Sequence, residues 1–176
     1  QGDNLFSESL LALDPNTGEL EWYFQFLPHD IHDYDSTQVP VLVDAEFEGA
    51  SRKLVLFPNR NGFYYVIDRV TGEFLLGKQF AKQTWAVGLD QDGRPIENPE
   101  TIPSEEGALV YPDDDGAANW YSPTYSPQTN LIYQNVREKG GIYYLADATY
   151  EPGKIYMGAS RRIVQGEDAK GFLRAL

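Results

Sequence analysis

Cysteine is absent from the 176 residues, which excludes disulfides, thiolate zinc sites and thiol catalysis. Histidine is nearly absent: the two present are His29 and His32. Basic residues are the minority, 14 Lys and Arg against 27 Asp and Glu, for a net charge of −13. That sign argues against a nucleic-acid binder, which must neutralise phosphates. It suits solubility, cation binding or a basic partner. No apolar run approaches the roughly 20 residues of a membrane-spanning helix, and no signal peptide is visible. The chain begins with Gln1 and stops inside the apolar, strand-like "GFLRAL". We therefore expect residues 1–176 to be a piece of one domain in a larger protein.

Aromatics are plentiful, with 12 Tyr, 9 Phe and 3 Trp, alongside 16 Gly and 11 Pro. This composition favours strands and turns over helices. "SLLALDPNTGELEWYFQF" predicts a strand over Leu10–Leu13, a turn, and a second strand over Leu20–Phe26. The pattern returns at "FYYVIDRVTGEFLLGKQF", where Asp68, Thr71, Gly72 and Glu73 repeat Asp14, Thr17, Gly18 and Glu19 at one constant offset. A weaker third copy is read at "YSPTYSPQTNLIYQNVRE", with Asn130 in the glycine role, and a fourth is expected to begin at "GFLRAL". Hairpins repeated at this spacing predict an all-β fold, a β-propeller; the competing architecture is an antiparallel sandwich with chance likeness of turns. The Pro- and Gly-rich stretch from Asp90 to Trp120 is expected to be a long loop over the top face or at the site. Within it, "DDDG" at Asp113–Gly116 lacks the ligand spacing of a calcium loop and reads as a solvated turn.

"PHDIHDYDS", Pro28–Ser36, gathers three aspartates and both histidines. In an extended backbone Asp33 and Asp35 would share a face, and a hard cation would relieve their repulsion. His29 and His32 hint at zinc, but a third ligand of that kind is not evident. The residues alone leave two readings open, a functional site or an acidic turn. Arg60 and Asn61 stand just before Gly62 at the mouth of an aromatic strand, either reaching into a site or lying on a surface turn.

Taken together, "GDNLFSESLLALDPNTGELEWYFQF", "PHDIHDYDSTQVPVL", "RKLVLFPNRNGFYYVIDRVTGEFLLGKQF" and "ANWYSPTYSPQTNLIY" resemble the pyrroloquinoline quinone (PQQ)-dependent alcohol dehydrogenases, the quinoprotein methanol and ethanol dehydrogenases and their relatives. The resemblance implies an eight-bladed propeller pinned by tryptophan-docking repeats, of which this chain would hold about three blades. "ALDPNTGELEW" fits that motif with Ala12, Asp14, Thr17, Gly18 and Trp22; the second copy has Leu76 in place of the tryptophan. The activity implied is oxidation of a small primary alcohol. A carboxylate takes the hydroxyl proton and hydride passes to metal-bound PQQ, with a cytochrome c-type acceptor and a periplasmic location.

By motif, Asp33 matches the catalytic base, Arg60 the cation that contacts base and quinone, and Asn119 a residue lining the quinone; Trp120 is placed nearby. Asp33 and Asp35 are the expected metal residues. Calcium-using methanol dehydrogenases resemble this stretch with a small residue, usually Ala, at the position of Asp35, whereas lanthanide-using members carry Asp. The resemblance therefore implies a lanthanide ion, with calcium as the alternative. His32 stands where many members have Trp, and the family's metal-binding Glu and Asn have no counterpart here. A non-catalytic propeller, serving as scaffold or sensor ectodomain, would have no reason to keep Asp33, Asp35, Arg60 and Asn119 together. A metallohydrolase on His29, Asp30, His32 and Asp33 would call for further His ligands, and the chain has none.

Overall fold

The computed structural model describes residues 2–176, and among them it contains fourteen strands and one short 3-10 turn, Pro99–Thr101. Strands β3 (Val41–Phe47), β4 (Ala50–Pro58), β5 (Phe63–Asp68) and β6 (Phe74–Gln79) form an antiparallel meander in that order. Every residue of β5 is buried, which requires cover on both faces. Side chains alternate along a strand, and here the alternation feeds two separate cores. Phe63, Tyr65 and Ile67 pack with Phe24 and Phe26 of the preceding hairpin, β1 (Ser9–Leu13) and β2 (Leu20–Gln25), and with Trp85. Tyr64 and Val66 pack instead with Ile132 and Val136 of β11 (Leu131–Glu138). The meander is thus the middle of three stacked sheets, the arrangement of consecutive propeller blades.

The repeated turns are superimposable in their bonding. Asp14 Oδ1 accepts from the amides of Asn16 and Thr17 at 2.7 and 2.9 Å, and Asp68 Oδ1 accepts from Val70 and Thr71 at 2.9 and 3.3 Å. Gly18 and Gly72 each donate to the carbonyl of their aspartate at 2.8 Å. Trp22 then docks onto the next blade: its indole Nε1 donates to Arg69 O at 3.1 Å. The ring lies so close to Gly72 that a Cβ there would meet it at 2.9 Å. Glycine at position 72 is needed twice, for its positive φ and for this contact.

The later repeats differ from expectation. The turn before Asn130 has the same closure, Asn130 N–H to Ser126 O at 2.8 Å with positive φ at Asn130, but it joins β10 (Thr124–Ser126) to β11. "GFLRAL" belongs to β14 (Lys170–Ala175), which pairs with β11 in the same sheet. The third and fourth copies are therefore one blade. A hairpin, β12 (Gly141–Leu145) and β13 (Ala159–Ile163), is inserted between its strands and pairs with β9 (Ala108–Val110). The stretch Asp90–Trp120 is also less irregular than expected, because it carries β8 (Pro95–Glu97), the 3-10 turn and β9; β8 pairs with β7 (Ala86–Leu89).

Candidate active site

Three loops converge at one end of the sheets: residues 27–40 between β2 and β3, the β4–β5 turn at Asn59–Gly62, and residues 111–121 before β10. Direct bonds tie them. Asn59 Nδ2 donates to Ser36 Oγ at 2.9 Å, and Ala117 N–H donates to Arg60 O at 2.8 Å.

Asp30 shapes the first loop. Its two carboxylate oxygens accept from the amides of His32 at 2.7 Å and Tyr34 at 2.5 Å. Burial pushes its pKa up to about 6, although those backbone bonds pull the other way. Between the two bonded amides the chain passes through Asp33 at φ 66°. The extended geometry expected for Asp33–Asp35 is therefore not found, because the Asp30 carboxylate winds the loop instead. Asp33 and Asp35 nevertheless both line a cavity of about 480 Å³, together with Glu8, Asp30, His32 and Arg161. Glu8, Asp30 and Asp35 each bring a carboxylate oxygen within 4.8 Å of the others. Burial raises the Glu8 pKa, and its Oε2 accepts from Ser36 N–H at 2.5 Å. Arg60 Nη1 lies 3.8 Å from Asp35 Oδ2.

Asn119 and Trp120 do not line this cavity; they line a separate groove of about 370 Å³. Asn119 Nδ2 donates to Asp115 O at 2.9 Å, and the exposed Trp120 ring stacks on Tyr121 at 4.4 Å. The link is the segment between them: Asp114 O accepts from Arg60 Nε at 3.0 Å and from Nη2, and the same segment runs on to Asn119.

The family model for the β-propeller domain of PQQ-dependent glucose, ethanol and alcohol dehydrogenases matches residues 1–79. A 1-butanol dehydrogenase (cytochrome c) of Thauera butanivorans is 46% identical over 75% of this chain and 19% of its own length. A quinohemoprotein alcohol dehydrogenase from Comamonas testosteroni superposes with a TM-score of 0.89 at 31% identity, over 98% of this chain and 28% of that one. A europium-containing methanol dehydrogenase gives 0.85 at 30%, over 97% and 31%. The chain belongs to the PQQ-dependent alcohol dehydrogenase family. It spans less than a third of the length of each of these three relatives.

Within that family frame, the histidines fall outside the carboxylate group. His32 is buried, with Nε2 3.0 Å from Thr101 O and its ring stacked on Tyr34. Burial lowers its pKa, so the ring is held neutral as a piece of the cavity wall. His29 is exposed at a positive φ. The two groups of three potential ligands among the described residues are all carboxylate, which gives the zinc reading no support.

The "DDDG" turn is not solvated at its first residue. Asp113 is fully buried and accepts from both Nη atoms of Arg137, with Nη2 at 3.0 Å, while Arg161 Nη1 stands 3.5 Å away. Arg161 Nε also pairs with Asp114 Oδ1 at 2.5 Å. The sequence showed the acidic run but not its partners, which arrive from β11 and β13. Glu8 and Gln38 were likewise not anticipated. Gln38 is buried and its Oε1 accepts from Arg60 N–H at 3.3 Å. Neither residue carries a local signal, since each matters only through its contact with a distant loop.

Proposed function

We propose that this chain is the part of a quinoprotein alcohol dehydrogenase that supplies the catalytic base and a metal-selecting carboxylate. The observation that carries the reading is that Asp33 and Asp35 open on one cavity while Arg60 stands 3.8 Å from Asp35. The donors suit the groups concerned. Three carboxylates without nitrogen or sulfur favour a hard, oxygen-preferring cation. The Arg60 guanidinium and the Asn119 amide offer N–H donors of the kind that bind quinone and carboxylate oxygens. Bound PQQ, polarised by its cation, supplies the hydride acceptor.

The chain's own contribution is proton handling and charge placement. Asp33 is exposed to the cavity and in its ionised form accepts the hydroxyl proton of a primary alcohol. Arg60 holds positive charge beside Asp35. Asp35, 55% exposed, has oxygen lone pairs free to add a negative ligand, which a trivalent ion needs more than a divalent one. We read the preferred metal as a lanthanide, with calcium as the alternative, and the electron acceptor as a cytochrome c-type protein in the periplasm. A relative named as europium-containing and another named for cytochrome c support this direction.

The test is dye-linked oxidation of primary alcohols by the full-length enzyme reconstituted with PQQ and either lanthanum or calcium. Turnover that is higher with lanthanum is expected. Asp33→Asn should lower kcat by about 10²–10⁴-fold while PQQ remains bound. Bound PQQ without alcohol oxidation, or full activity in Asp33→Asn, refutes the reading.

A further inference from the structure

Arg60 is held from one side. Its Nε and Nη2 donate to a single carbonyl, Asp114 O, so that Nη1 is the nitrogen turned toward Asp35. Whatever fixes Asp114 therefore fixes the direction of the guanidinium. The backbone there is laced to its surroundings: Asp113 N–H donates to Lys139 O, Gly116 N–H to Asp113 O and Ala117 N–H to Arg60 O, each at 2.8 Å. Gly116 lies against the Arg60 stem, and a Cβ at that position would come within 2.0 Å of Arg60 Cγ. Segment and side chain are thus fitted to each other with no room to spare.

Two guanidiniums anchor the segment from outside. Arg137 of β11 takes the buried Asp113 in a two-pronged pair. Arg161 of the inserted hairpin bridges Asp113 Oδ2 at 3.5 Å and Asp114 Oδ1 at 2.5 Å, and it also lines the cavity that holds Asp33 and Asp35. Arg137 alone can neutralise Asp113. Arg161 is the contact that reaches Asp114, the residue whose carbonyl carries Arg60.

We propose that Arg161 is a positioning residue for Arg60, acting through the Asp113–Asp114 segment. This rests on the reading of Arg60 as a site residue. An inserted hairpin thereby sets the geometry of a site built on the blades.

Arg161→Gln tests it in the full-length enzyme, since Asp113 keeps Arg137 and Arg161 is 27% exposed. Displacing a positioned group by an ångström costs up to about 100-fold in rate, so kcat should fall between about 10- and 100-fold with KM for the alcohol little changed. On an Arg60→Gln background the same substitution should change kcat less than about twofold, because residues acting as one unit are not additive. Equal fold-losses in both backgrounds overturn the proposal. A readout independent of turnover is hydrogen exchange in the full-length protein before reconstitution. The amides of Gly116 and Ala117 should exchange faster in Arg161→Gln while those of β5 keep their protection. Unchanged exchange at those two amides also overturns it. If Arg60→Gln itself leaves activity intact, the functional reading of Arg60 fails, and the exchange data decide the positioning separately.

Discussion

Two groups of three carboxylates flank Arg60. Glu8, Asp30 and Asp35 form one, and Asp113, Asp114 and Asp115 the other. Their composition is almost the same and their circumstances are opposite. The second group is paired: Arg137 and Arg161 reach all three of its members, and its first carboxylate, Asp113, is fully buried. The first has one guanidinium at 3.8 Å from Asp35, which is 55% exposed at a cavity. A buried charge must be paired, so the Asp113 group is committed to structure. The Asp35 group keeps oxygen lone pairs facing space. An acidic cluster is read less by its own residues than by where the arginines went.

Breaking the paired group should have the largest effect on stability. Asp113→Asn leaves Arg137 and Arg161 side by side without the carboxylate between them. Removing one partner of a buried ion pair costs about 3–5 kcal/mol. The midpoint of chemical denaturation should drop accordingly. A loss below about 1 kcal/mol would mean that Asp113 is solvated after all, and the contrast between the groups would collapse.

Breaking the open group should leave stability nearly untouched and alter the metal. With Asp35→Ala in the full-length enzyme, lanthanide-dependent activity should fall by about 100-fold, and calcium-dependent activity by less than about tenfold, as expected when one ligand of a metal site is lost. Equal losses with both ions would sink the role of Asp35 in choosing the cation.

Much of this was legible in the sequence where the physics is local. Asp14 and Asp68 cap their turns through residues two and three positions on, so the repeat announced the hairpins, and the family resemblance added the docking role of Trp22. Asp33, Asp35 and Arg60 were singled out through motif; Asp33 and Asp35 line one cavity, and Arg60, outside its lining, stands 3.8 Å from Asp35. What was hidden depends on distant pairing. The Asn130 turn has the right local chemistry but sits between the wrong pair of strands for a new blade, because blade membership is decided by the pairing of β11 with β14. The left-handed backbone at Asp33 is imposed by Asp30, whose bonds to His32 and Tyr34 no periodicity reveals. Arg137 and Arg161 approach Asp113 from strands whose positions only the folded sheet defines.

The same contrast can be sharpened by pH. Burial raises Asp30 from its ordinary value of 3.8 to about 6. Between those values the folded loop holds a proton that the unfolded chain has released. The contribution of Asp30 to stability is therefore greatest below about pH 4 and declines as pH rises through 6, by about 3 kcal/mol for a shift of this size. Asp14 and Asp68 have lowered pKa values and slope the other way, so the difference between the parent and Asp30→Asn isolates the effect. Denaturation of the metal-free protein from pH 4 to 7 should show that difference shrinking as pH rises, and a constant difference would remove Asp30 as the titrating group. A cation beside Asp30 favours its ionised form. Lanthanum added to the metal-free protein near pH 5.5 should thus release protons, measurable by calorimetry in buffers of differing ionisation enthalpy, and Asp30→Asn should release fewer.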